Sequence, residues 1–312
     1  MRDLAALPKA HLHVHLESTI RPATLAELGF ASDTTAFDGF RSFADHNSLV
    51  RQCLQRPEHF TRIAAEFSED QRAQGVRYGE VTFTAAAHGE RLGDLEMPLD
   101  AVLDGLGPEF TVILDHSRRR SPERFANTLD LARKHDRVVA IGMAGEERHP
   151  LAPFAELLDA ARDAGVRLVH HAGEDAGPAS IVEALDLGHA ARIGHGIRCL
   201  ESPELVARLR DEAVPLEVCP SSNVGLGLVP SWPAHPLPRL VDAGLLVTVN
   251  TDVPASVGTD LVTEYQRIRE VFGYDDAALA TLARASVDAS FAPDATKAPL
   301  LAAIDDWLAP GP

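Results

Sequence analysis

PFAELLDAARDAGVRLVHHAGED, residues 153–175, is the stretch whose reading decides the fold. Apolar residues recur at i, i+3 and i+4 through 153–165, which predicts an amphipathic helix stopped by Gly165. Residues 166–171 are a short β-rich apolar run, and the polar, glycine-containing HisAlaGlyGluAsp follows it. Such a helix feeding a strand is one unit of a parallel sheet. Working outward, the same alternation gives strands at 10–15, 76–83, 110–114, 138–142, 166–171, 191–194, 215–218 and 245–250. Eight units in 312 residues predict a single α/β domain over 1–312, a closed (β/α)8 TIM barrel with catalytic residues at the C-terminal ends of its strands. An open doubly wound sheet is the alternative, but no GxGxxG or GxxxxGK[ST] loop follows any strand. Residues 29–74 exceed one crossover helix and predict extra helices over the barrel mouth; the final ProGlyPro reads as a fraying tail.

Composition narrows the function. With 29 Lys+Arg against 46 Asp+Glu, the formal charge is −17. A surface this acidic repels phosphate backbones and anionic lipid, so neither nucleic acid nor membrane is expected as a partner. The first residues meet charge and histidine before any long apolar run, and no stretch approaches the ~20 apolar residues that span a bilayer. A soluble, cytoplasmic protein is the expectation, with its oligomeric state left open. Cys53, Cys199 and Cys219 form no CxxC pair and are odd in number, so they read as packing residues.

The chemistry gathers at the predicted strand ends. His11, His13 and His15 alternate with apolar residues, and a period of two puts all three on the interior face of strand 1. Imidazoles at i and i+2 can close on one divalent ion, so His13 and His15 read as metal ligands and His11, lying deeper, does not. His171 ends strand 5, His195 follows strand 6 and Asp252 follows strand 8. Three neutral imidazoles and a carboxylate suit one Zn²⁺, which would activate a water. Glu174, three residues past His171, could stay protonated in a dry pocket as general acid. His195, before Gly196 and after Gly194, could take a proton or stabilise developing charge. His170 alternates away and reads as a core histidine facing a helix.

The ordered motifs resemble those of the adenosine deaminase family of zinc amidohydrolases. LPKAHLHVHLE at 7–17, HAGE at 171–174, RIGHG at 192–196, EVCPSSN at 217–223, HP at 235–236, TVNTD at 248–252 and ASF at 289–291 are similar to its signatures, in the same order. The resemblance implies a barrel of the metal-dependent hydrolase type and hydrolytic loss of ammonia from a 6-aminopurine. It implies that His13, His15, His171 and Asp252 hold one Zn²⁺ per chain, that Glu174 protonates the ring nitrogen beside the reacting carbon, and that His195 and Asp252 serve the attacking water. It places the Gly145 N–H on another ring nitrogen, Glu17 at the sugar or solvent end of the pocket, and Ser222 and Asn223 as braces.

Departures bear on the substrate. Val253 stands where the family has a second aspartate that contacts the imidazole part of the purine, and Gly142 where it has an aspartate. A lost polar contact is worth on the order of 1–3 kcal/mol. A modified purine nucleoside such as aminodeoxyfutalosine is therefore a second reading. Hydrolysis of an amide, lactone or phosphoester by a two-metal relative lacks the strand-4 lysine it needs in VVAIGM (138–143), and a non-catalytic purine-binding barrel would be expected to lose ligands that are all present.

Overall fold

The computed structural model describes residues 1–30 and 39–309; the ProGlyPro tail and part of the 29–74 insertion lie outside the described residues. Eight strands, β1 (Lys9–His11), β2 (Val76–Phe83), β3 (Phe110–Ser117), β4 (Val138–Ala144), β5 (Arg167–Ala172), β6 (Arg192–His195), β7 (Leu216–Val218) and β8 (Val247–Val249), follow one another around a sheet in chain order. Each neighbouring pair from β1 to β8 is parallel. Helices between them bury apolar faces against the outside of the strands. The result is the expected (β/α)8 barrel.

Closure is the part that simple alternation misses. β1 stops at His11, four residues short of its predicted end, because the N–H groups of Leu12 and His13 both donate to the side-chain Oδ1 of Asn250, at 2.9 and 3.1 Å. The ring is then completed beyond β8. Asp252 N–H donates to His13 O at 3.0 Å, His15 N–H to Asp252 O at 2.9 Å, and Thr82 N–H to Val14 O at 2.8 Å. The break also parts the three histidines: His11 turns to Gln71 of helix Pro57–Ala73, at 2.8 Å, and to Thr251, while His13 and His15 turn inward. The seam that closes the barrel thus carries its candidate ligands.

Within the insertion, helix Gly39–Cys53 brings Asn47 and Arg51 over the mouth of the barrel, as the length of the segment predicts. Helix Pro57–Ala73 buries Phe60, Ile63 and Phe67 as the first crossover. Further along, helix Leu261–Phe272 starts where Asp260 accepts from Thr263 N–H at 2.7 Å, an N-cap that satisfies an otherwise orphaned donor. Inside the barrel the buried Arg192 bridges Glu217 on β7, at 2.6 Å, and Glu80 on β2, at 2.5 Å, with its guanidinium 3.8 Å from the centre of the Phe291 ring. Phe291 N–H donates to Glu80 Oε1 at 2.5 Å, so the ASF motif plugs the barrel floor. Among the described residues no helix is long and apolar enough to cross a membrane.

Candidate active site

Four side chains from three strand ends converge. His15 Nε2 lies 3.2 Å from His171 Nε2 and 3.2 Å from Asp252 Oδ1, and His13 Nε2 lies 3.4 Å from that same oxygen. A tetrahedral ion with ligands at about 2.0–2.1 Å separates them by roughly 3.3–3.4 Å, so the spacing fits one. His13 Nε2 is buried with no hydrogen-bond partner, which is the state of an atom reserved for an ion. Its other nitrogen is 2.8 Å from Glu217 Oε2, the carboxylate–histidine pairing that orients metal ligands. Gly194 makes this possible: a Cβ there would stand 2.9 Å from the His13 ring. Ser222 donates to Asp252 Oδ2 at 2.5 Å. Cys219 also reaches this neighbourhood, but burial pushes its thiol well up, so it offers no thiolate.

Glu174 and His195 lean over the same spot, 3.5 Å apart between Oε1 and Nε2. Burial, helped by the charges of Asp252 and Glu147, raises the Glu174 carboxyl well above its usual value and so favours its protonated form. Its loop is fixed by Glu147, whose carboxylate accepts from Gly173 N–H at 2.7 Å, Glu174 N–H at 2.7 Å and Asp175 N–H at 2.8 Å. Gly173 is required here, with φ of +68° and Ile181 only 2.4 Å from where a Cβ would be.

A chain of three side chains sets the His195 tautomer. The backbone N–H of Leu237 can only donate, and it does so to His235 Nδ1 at 3.1 Å. His235 therefore carries its proton on Nε2 and gives it to Asn223 Oδ1 at 3.2 Å. That turns the Asn223 amide NH₂ toward His195 Nδ1, also at 3.2 Å. His195 is left as a donor through Nε2, and burial, reinforced by His13, lowers it to about 4, so it stays neutral. His195 and Asp252 hold φ of 63° and 58°, left-handed backbone that costs of order 1–3 kcal/mol for residues other than glycine. Strain at these two positions marks a built site.

The cavity in front measures about 200 Å³ and is lined by His15, Asp115, Gly145, Glu174, Asp252 and Val253 among others. Val253 packs with Leu226 and leaves one wall apolar. Glu17 does not line it. That carboxylate is buried and bonded to Thr84 and, at 3.2 Å, to His88; burial alone would raise it, but His88 and Arg51 hold it well below the usual range. Through Oε1 Glu17 braces the wall, while its Oε2 is buried without a partner beside an adjoining cavity that shares Asn47 with this one. His170 bonds Gly188 O at 2.8 Å, the structural part expected of it. Glu147, Glu217 and Asp115 escaped the sequence reading, although each is a carboxylate inside an apolar or glycine-rich strand end, a pattern that could have flagged them.

Comparison with known proteins identifies the family. The model of the family described as adenosine deaminase matches residues 8–307. An adenine deaminase of Rhizobium rhizogenes is 36% identical over 95% of this chain and 98% of its own. The crystal structure of an adenine deaminase from Arthrobacter aurescens superposes with a TM-score of 0.91 at 34% identity, covering 96% and 99% of the two chains. An amidohydrolase from Burkholderia ambifaria, with bound Zn, reaches 0.88 at 26% identity over 98% and 92%. Matched along nearly its whole length, the chain belongs to the adenosine deaminase family and is a hydrolytic deaminase acting on the C–N bond of purines.

Proposed function

We propose that this protein is a zinc-dependent deaminase converting the free base adenine and water to hypoxanthine and ammonia. The observation that carries the reading is the meeting of His13, His15, His171 and Asp252 at ion-binding distances under Glu174 and His195. The free base is favoured by the similarity to adenine deaminases and by the modest cavity. Zn²⁺ is favoured by the three-imidazole, one-carboxylate donor set and by the zinc-bound relative. When bound, the ion supplies a water acidic enough to attack at neutral pH.

The chain's own residues do the rest. Protonated Glu174 donates to ring N1, which draws electron density from C6. His195 Nε2–H, a donor by its tautomer, stabilises charge that develops as the C6–O bond forms. Asp252, held ionised by His13 and His15, orients the water and accepts one of its protons, which passes to the amino group as the C6–N bond breaks and ammonia leaves, while the proton left on O6 returns to Glu174 as the C6 carbonyl forms. Gly145 at the end of β4 offers its N–H to N3, and Val253 covers the remaining edge of the ring. Zinc-replete enzyme is tested by ultraviolet spectroscopy against adenine, adenosine and other 6-aminopurines. Turnover of adenine with ammonia release is expected; absence of turnover, or faster deamination of a nucleoside, refutes the reading.

A further inference from the structure

Asp115 has no assigned task, yet it stands in the cavity. It comes near the end of β3, is 5% exposed, and its Oδ1 is buried without a hydrogen-bond partner. Across the β3–β4 ladder it faces Gly142, where even an added Cβ would lie 3.5 Å from that oxygen, so no side chain from the neighbouring strand satisfies it. The nearest charged groups are the ligand histidines, Arg51 and Glu17, none hydrogen-bonded to it. A buried carboxylate with no donor is costly, and a ligand that brings a donor removes the cost.

The strand order says which donor. With C6 at the ligand cluster and N1 at Glu174 after β5, the purine perimeter continues through C2, N3 and C4 to N9, as the strand ends continue from β5 to β4 to β3. N3 then falls to Gly145 after β4, and the next edge, N9, falls to Asp115. We propose that Asp115 accepts the N9–H of the free base and is the residue that selects a base over a nucleoside, an assignment that rests on the deaminase reading above. A nucleoside has a sugar where the base has that hydrogen. It would leave the carboxylate unpaired and crowd it.

A site built around a donor rejects the analogue lacking it by roughly 10⁴. The test measures kcat/KM for adenine and 9-methyladenine, together with zinc stoichiometry, in wild type, Asp115→Ala and Asp115→Asn. Wild type should favour adenine by roughly 10⁴. Asp115→Ala should lose at least 100-fold on adenine and bring the ratio below about 10², and Asp115→Asn, which keeps an acceptor without the charge, should fall between. Parallel losses on both substrates, loss of zinc, or a wild type that prefers adenosine or its 5′-phosphate would overturn the assignment. A wild type inert toward adenine refutes the deaminase reading along with it, whereas an active wild type with an unchanged ratio in the variants refutes the Asp115 role alone.

Discussion

Glu217→Gln tests how the barrel floor supports the ligand cluster. Glu217 spends one oxygen on His13 Nδ1, at 2.8 Å, and the other on Arg192 Nε, at 2.6 Å. A glutamine has one acceptor and one donor, so whichever way its amide turns, an NH₂ faces either the imidazole N–H or the guanidinium. Removing a carboxylate that supports a metal-binding histidine costs typically 10–100-fold in metal affinity, or about 1.4–2.7 kcal/mol. The effect on folding differs in origin. Stripping a buried charge of its only partner costs about 3–5 kcal/mol, but Arg192 keeps Glu80 and is left balanced. The loss should therefore be that of one charge-assisted bond, about 1.5–3 kcal/mol. Competition with a chromophoric chelator gives the zinc affinity, and urea unfolding of the metal-free protein gives the stability. A variant that loses stability as computed but binds zinc within twofold of wild type would show that Glu217 merely packs the floor, and the link from Arg192 to His13 would have to be abandoned.

Four further outcomes follow from the same geometry. Glu174→Gln should abolish ammonia release while zinc stays stoichiometric; undiminished turnover removes Glu174 from the acid role. Asn223→Asp puts an acceptor against His195 Nδ1, draws the proton to that side, and should lower kcat by a factor approaching the ~10⁴ seen for wrong-tautomer histidines, with KM nearly constant; a normal kcat would sink the relay from Leu237. Glu147→Gln leaves one of the loop N–H groups facing an NH₂, so thermal unfolding should come earlier by about 1.5–3 kcal/mol of stability, and the alkaline limb that reports loss of the Glu174 proton should shift to lower pH as a raising charge is lost; an unmoved profile contradicts it. Glu264 is raised from 4.5 to about 7 by burial, although it accepts from Ser221 N–H and Thr259. Its stabilising contribution is full below 4.5 and is lost as pH rises through 7, a swing of about 3 kcal/mol at 1.36 kcal/mol per pH unit. Glu264→Gln should match wild type near pH 5 and exceed it by about 1–3 kcal/mol at pH 8 in urea unfolding; equal stability at both pH values refutes it.

The barrel could be read from the sequence because each βα unit announces itself locally: period 3.6, a glycine stop, then an apolar run. The ligands could be read for a related reason, since in a parallel barrel every strand end points to one rim, and a histidine such as His171 or His195 at that place has few structural uses. The histidine alternation singled out the pair that the fold brings into the candidate cluster, but on an incomplete argument. His13 and His15 face inward because Asn250, more than 230 residues away, takes the chain off its ladder after His11, and nothing in residues 10–15 encodes that. The partners of Glu17 were hidden for a similar reason: Thr84 and His88 sit on the next βα unit, and only the fold brings them there.

The direction of the hydrogen bonds was equally invisible, and it changes the chemistry. From sequence, His195 could take a proton or stabilise charge. One backbone donor sets the tautomer, because Leu237 N–H fixes His235, His235 fixes the Asn223 amide, and the amide fixes His195. A neutral imidazole whose Nδ1 accepts has no lone pair left at Nε2, so the proposed mechanism takes its base from another residue. In the proposed mechanism Asp252, whose carboxyl His13 and His15 hold well below its usual value, takes the part of the base, since Glu217 is consumed by His13 and Arg192 and burial raises Glu174 well above its usual value. The proposed acid and base thus differ in environment: one carboxyl is buried near other negative charges, and the other is held between imidazoles. The division of labour follows from that contrast, with Glu147 raising Glu174 on one side and His13 lowering Asp252 on the other.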